Sequence, residues 1–150
     1  MRIKGKDYML VVFQFILFLL FYFNYPVLIF ELPNWIKAIA LSAIVVGIII
    51  FALAMIQLNK SLSPFPTPKS GSRLIKTGLY KFVRHPIYTG IIIAFIAFSV
   101  YTQSVYRIII SIILYLLFVY KSTYEERQLI KKYEDYIKYK RSTGRFFPKF

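Results

Sequence analysis

Two apolar runs at the start of the chain limit what it can fold into. Tyr8 to Phe30 and Trp35 to Leu58 run for 23 and 24 residues, with Glu31 between them and Lys37 the one basic residue inside. As helices they would be roughly 34 and 36 Å long at about 1.5 Å per residue, enough to cross a hydrocarbon core of about 30 Å. The chain is 58% hydrophobic, and these residues come in runs rather than at the spacing of a soluble core. The expected fold is an all-α integral membrane protein, a single domain over residues 1–150, with spans at about 8–30 and 35–58 to begin it. Pro26 should kink or close the first helix, Leu32-Pro33-Asn34 should turn, and Trp35 suits an interfacial anchor. The first run is too long for a signal-peptide core and has no clear small-residue cleavage site, so no cleavable leader is expected.

A polar loop over 59–85 follows. Three alternating prolines in Ser61-Leu62-Ser63-Pro64-Phe65-Pro66-Thr67-Pro68 remove backbone donors and fix φ, so this stretch cannot be a regular helix. Two shorter runs come next, Ile87 to Tyr101 and Ile108 to Tyr120, giving expected spans at about 86–101 and 105–121. Pro86 suits the first turn of a helix, where its missing N–H costs nothing. Each run is only roughly 20 Å long as a helix. Their cytoplasmic ends are therefore expected to line a polar cavity and to need no lipid-facing apolar surface there. The fourth helix should continue out of the membrane through Glu125-Glu126-Arg127, a stretch without a helix breaker. Residues 122–150 then form a helical cytoplasmic tail whose aromatic and basic end suits an anchor on anionic lipid.

The net charge is +14. With four spans, eighteen basic residues fall on one side and two, Lys37 and Arg107, on the other. The positive-inside rule then places both termini, the central loop and the tail in the cytoplasm. A basic chain can also bind nucleic acid, but the base-stacking and groove-helix signatures are missing, so no such partner is expected. There is no cysteine and one histidine. Thiolate chemistry and disulfides are thereby excluded, and no metal site is expected. Asp7, Glu31, Glu134 and Asp135 read as solvated flanks.

The chemistry concentrates in Gly78-Leu79-Tyr80-Lys81-Phe82-Val83-Arg84-His85-Pro86-Ile87-Tyr88-Thr89-Gly90. Charged and hydrogen-bonding groups at a membrane surface are costly to place unless they bind something. Each residue alone has an ordinary role: Arg84 as a snorkelling anchor, Tyr80 and Tyr88 as aromatic-belt residues, Lys121 and Glu125 as a helix salt bridge four residues apart. Together they form a dense fixed spacing. That spacing resembles the integral-membrane methyltransferases grouped with isoprenylcysteine carboxyl methyltransferase and phosphatidylethanolamine N-methyltransferase. The likeness rests on Leu74 to Tyr80, Arg84 to Gly90, Glu125-Glu126 and the tail from Tyr136 to Pro148, and covers about residues 60–148.

The resemblance implies S-adenosyl-L-methionine as cofactor, lined by Arg73, Leu74, Ile75, Tyr80, His85, Pro86, Ile87 and Tyr88, with Glu125 as the matching helix glutamate. Whether Glu125 or Glu126 makes that contact stays open. Lys121, Glu126 and Arg84 are the candidates for catalytic roles. Lys121 stands where the carboxyl methyltransferases have an arginine implicated in substrate binding; it keeps the charge and loses the bidentate fork. Glu126, or His85, could take a proton from an amine nucleophile. The expected activity is methyl transfer to a lipophilic substrate, most like isoprenylcysteine carboxyl O-methylation. A phospholipid amine N-methyltransferase, an NADPH-dependent sterol-type reductase and a non-catalytic membrane scaffold are the alternatives. The reductase family has more spans, and no Gly-x-Gly loop of the dinucleotide type occurs.

The charge bias is testable because the chain has no cysteine. Lys37→Cys and Lys138→Cys should be labelled by an impermeant maleimide from opposite sides of oriented vesicles, Lys138→Cys from the cytoplasmic side. Labelling from one side would contradict the four-span topology.

Overall fold

The computed structural model describes residues 3–23, 25 and 30–149, with the side chain of Lys60 outside that description. Helix α1 covers Gly5–Tyr22, α2 Asn34–Leu58, α3 Pro86–Tyr101, α4 Val105–Lys132 and α5 Tyr136–Ser142. Short 3-10 turns lie at Asn59–Ser61 and Gly78–Lys81. Three of the helices, α1, α2 and α4, are long and apolar enough to cross a membrane; α3 is a shorter apolar helix of 16 residues. Their outer faces are rich in exposed apolar side chains such as Val12, Phe15, Ile49, Leu53 and Leu116. A patch of that kind needs a covering that water cannot supply.

The helices pair two by two. α2 packs chiefly on α3, and α1 on α4, with α3 and α4 in contact between them. Small residues make the first pairing close. Ala40, Gly47 and Ala54 recur every seventh residue on the buried seam of α2. A Cβ on Gly47 would lie 2.7 Å from the backbone nitrogen of Ala94, and one on Gly90 would lie 2.6 Å from that of Phe51. Two backbones can approach this closely only where both lack side chains. The second pairing is built from larger groups: Leu10, Leu17 and Phe21 of α1 meet Ile110, Leu114, Leu117 and Phe118 of α4, with Phe146 of the tail joining the cluster.

Helix α1 ends at Tyr22, short of the expected Phe30, and Phe23 is extended with φ −72° and ψ 122°. Its last carbonyls are taken by α4: Tyr106 Oη donates to Leu20 O at 3.1 Å and Arg107 Nε to Phe21 O at 3.3 Å. These side-chain donors satisfy the orphan acceptors of the helix terminus. The expected effect of Pro26, like residues 27–29, lies outside the described residues. The fourth helix continues past its apolar run as expected, and α4 runs unbroken for 28 residues, about 42 Å.

Asp7 also departs from expectation. It is fully buried rather than solvated. Its carboxylate accepts from the Lys4 N–H at 2.6 Å and from the Thr67 hydroxyl at 2.9 and 3.0 Å. It thus closes the first turn of α1 and ties it to the proline loop, where Tyr8 and Phe65 meet edge to face at 5.0 Å. A buried carboxylate is tolerated when hydrogen-bonded in this way.

Gly47→Val should wedge α2 off α3 and lower stability by about 1–3 kcal/mol, the usual cost of overpacking. Gly5→Ala, where a Cβ would meet nothing within 4 Å, should leave the melting temperature in detergent unchanged. Equal melting temperatures for both variants would contradict the close seam.

Candidate functional site

Position begins with the motif's backbone. Gly78 opens the 3-10 turn at φ +60°, and a Cβ there would strike the Gln57 amide. Gln57 Oε1 accepts from the Leu79 N–H at 2.9 Å, which fastens the turn to the end of α2. Glycine is needed for both reasons. Residues 83–85 then run beside the tail. Val83 forms a parallel bridge with Gly144, the Arg84 N–H donates to Gly144 O at 2.9 Å, and the His85 N–H to Arg145 O at 3.1 Å. Pro86 occupies the first turn of α3 as expected, and Thr89 Oγ1 donates to Phe146 O at 2.8 Å. The tail therefore folds back onto the motif, where the sequence suggested a lipid anchor. Backbone pairing leaves no local signature in side-chain periodicity.

Glu126 is the centre of this region. It is 1% exposed, and four cationic or ionisable groups surround it. Arg84 Nε donates to Oε1 at 2.8 Å, Lys140 Nζ lies 2.8 Å from Oε2, His85 Nε2 lies 3.3 Å from Oε1, and Arg145 Nε lies 3.8 Å away. Arg84 also donates to Lys140 O at 3.1 Å and to Thr143 O. The knot joins α4, the motif and the tail. A buried charge needs this degree of pairing to persist.

Beside the knot lies a cavity of about 720 Å³, inside the roughly 300–1,000 Å³ range of small-molecule sites. Arg73, Leu74, Ile75, Tyr80, Arg84, His85, Ile87, Tyr88, Lys121 and Glu125 all line it. Of the residues singled out from sequence, Pro86 and Glu126 do not; both are fully buried behind it. Tyr88 Oη donates to Glu125 Oε2 at 3.0 Å, and His85 Nδ1 lies 3.8 Å from the same oxygen. The rings of His85, Tyr88 and Phe118 stack in series, at 5.4 and 4.5 Å between centroids. Lys121 does not pair with Glu125. The residue is 1% exposed, and its ammonium donates to Gln14 Oε1 at 2.6 Å and lies 5.6 Å from the Tyr88 ring centroid.

Tyr80 Oη donates to Ala54 O at 3.3 Å, and Tyr139 Oη to Tyr80 O at 2.6 Å. Burial pushes the Tyr139 phenol up to about 12 and, with Glu125 nearby, raises that of Tyr80 as well. Both remain neutral donors near pH 7.

Gln14, Tyr133 and Tyr136 line the cavity too and were missed by the sequence reading. Gln14 had a signal: it is the amide in an otherwise apolar and aromatic stretch from Tyr8 to Phe23, and buried polar groups in a span have partners. Tyr136 and Tyr139, three apart on α5, share a face. That face points inward, and both are buried. The other end of the cavity is apolar, formed by Phe15 and Phe18 of α1, Ile48 and Phe51 of α2, and Ala94 and Phe95 of α3. Phe15 and Ile48 are also exposed on the outer surface, so this end opens between α1 and α2. Among the described residues no group of three or more His, Cys, Asp or Glu could hold a metal ion.

Compared with models of known protein families, residues 35–136 match phospholipid methyltransferase. A search among curated proteins finds no significant match.

Glu126→Gln should destabilise the fold by about 3–5 kcal/mol, as breaking one side of a buried ion pair does, and should expose the tail to trypsin. Glu125→Gln, on a carboxylate that is 27% exposed, should stay within about 1 kcal/mol of the parent. Equal tail proteolysis in the two variants would show that the knot does not hold the tail.

Proposed function

Because the chain belongs to the phospholipid methyltransferase family, we propose that it transfers a methyl group from S-adenosylmethionine to the headgroup amine of a phospholipid. The observation that carries this reading is one cavity with two characters. Its polar end is built from the motif, the 73–75 loop and Glu125, and its apolar end opens between α1 and α2. A polar cofactor and a lipid would meet inside it.

The residues present fit the adenosyl group. The Glu125 carboxylate suits an ammonium, the faces of Tyr80 and Tyr88 suit a sulfonium, and the apolar side chains of Leu74 and Ile75 suit a purine face. When bound, S-adenosylmethionine would supply an electrophilic methyl on sulfur. The chain's part is then to bind, orient and exclude water. An amine nucleophile must be neutral to attack. Glu125 and His85 face the cavity and could accept its proton. Glu126 is withdrawn from the cavity, and its oxygens are committed to Arg84, His85 and Lys140. Its role in this reading is to position Arg84 and His85, with no proton taken from substrate. Among the described residues Lys121 has no carboxylate within 4 Å and is held by neutral Gln14, which leaves it suited to a lipid phosphate.

The carboxyl O-methylation favoured by the sequence alone is the second reading. It fits less well, because lysine lacks the guanidinium fork that matches a carboxylate and the matched family is one of phospholipid enzymes. The basic loop and tail support a cytoplasmic placement of the polar end and of both termini.

Protein in nanodiscs given methyl-labelled S-adenosylmethionine should label phosphatidylethanolamine, and Lys121→Met should lower that rate by at least about 10-fold, the loss of one charge-assisted contact. Label on a prenylcysteine ester and none on phospholipid would overturn the amine reading.

A further inference from the structure

Another cavity, of about 310 Å³, lies between the motif turn and α5, with Tyr139 in its wall and in that of the larger one. Three lysines line it, Lys76, Lys81 and Lys138, against one carboxylate, Asp135. The fold brings these groups together from both segments. The Gly144 N–H donates to Phe82 O at 3.2 Å, which lays Lys81 beside the end of α5. Lys138 stands three residues after Asp135, the cap of α5, so both belong to one face. Asp135 pairs with Lys76 at 3.0 Å. That carboxylate is thereby committed, while Lys81 and Lys138 have no hydrogen-bond or ion-pair partner among the described residues. Both are exposed.

Two uncommitted ammoniums lining one concavity suit a group with several anionic oxygens, as a phosphate has. The charge balance selects among phosphate-bearing headgroups. A zwitterionic one needs a free carboxylate for its ammonium, which Glu125 offers in the larger cavity. Here Asp135 is taken by Lys76, and an anionic headgroup has no such need. The surrounding segments favour the bilayer as the source. Phe82, Ile137 and Phe147 are large apolar side chains, each at least half exposed, and Lys81 precedes the apolar helix α3 closely. Lysines and exposed apolar side chains on the same segments suit the boundary between headgroups and acyl chains; a free anion would leave the apolar groups in water. The cytoplasmic leaflet carries the anionic lipids that attract such lysines. We propose that Lys76, Lys81 and Lys138 form a binding site for the phosphate of an anionic phospholipid headgroup, separate from the cavity where methyl transfer is proposed. The site does not depend on that activity.

Native mass spectrometry of the full chain in neutral detergent tests it. Offered equal amounts of phosphatidylglycerol and phosphatidylcholine, the protein should retain phosphatidylglycerol. Lys81→Gln/Lys138→Gln should weaken that retention by at least about 10-fold, the loss of two lysines from an anionic lipid, and Lys81→Arg/Lys138→Arg should keep it. Arg127→Gln/Lys131→Gln removes the same charge from exposed positions of α4 outside this cavity and should change little. Excess inorganic phosphate should not displace the lipid. Equal weakening in the two glutamine variants would reduce the attraction to diffuse charge and overturn the site, as would unchanged retention in both. Equal retention of the two lipids would overturn the choice of an anionic headgroup, and displacement by inorganic phosphate would overturn the choice of a lipid.

Discussion

The charge on Glu126 has to be neutralised where it is buried, and much of the polar half of the molecule is arranged around that requirement. Desolvating a carboxylate costs several kcal/mol unless it is well paired. Arg84 and His85 come to it from the motif, Lys140 and Arg145 from the tail. Each partner brings its backbone along. The motif backbone and the tail are thereby laid side by side, and the Val83–Gly144 bridge follows. The neighbouring carboxylate, Glu125, sits on the same helix one residue earlier and faces the cavity instead. Adjacent positions on a helix point about 100° apart, so one glutamate can serve the scaffold while the other faces the cavity.

The membrane half obeys a different constraint. With apolar surface on the outside as well as the inside, the hydrophobic effect does not choose helix partners there. Close backbone approach does so for α2 and α3, through Gly47 and Gly90. Interdigitating side chains do so for α1 and α4. Two pairs formed on different principles leave a gap, and the cavity's apolar end lies in it. Gly90 belongs to the same motif as His85, so the element that carries the polar site also sets the helix seam beneath it.

Much of this was legible in sequence because it depends on local pattern. The apolar runs located α2 and α3 closely, Pro86 marked the start of α3, and the absence of a breaker carried α4 out to Lys132. Other features depend on contacts between distant segments. The stop of α1 at Tyr22 is set by donors from α4, and the burial of Asp7 by Thr67, sixty residues away. The division of labour between Glu125 and Glu126 depends on where α4 faces, which the pair of letters does not encode. Lys121 and Glu125 had the spacing of a salt bridge, but Gln14 from another helix took the lysine. Tyr136 was visible as part of a tail pattern, and its place in the cavity wall emerges only once α5 is packed.

The central claim is that the motif, the 73–75 loop and Glu125 form one cofactor pocket at the polar end of a cavity that continues toward the lipid. Hydrogen exchange read by mass spectrometry tests it directly. S-adenosylhomocysteine should slow exchange at the amides of residues 73–75, 80 and 87–88, leave the middle of α2 unchanged, and be matched by no protection from NADPH. Protection by NADPH alone, or protection by S-adenosylhomocysteine confined to residues away from this cavity, would contradict it.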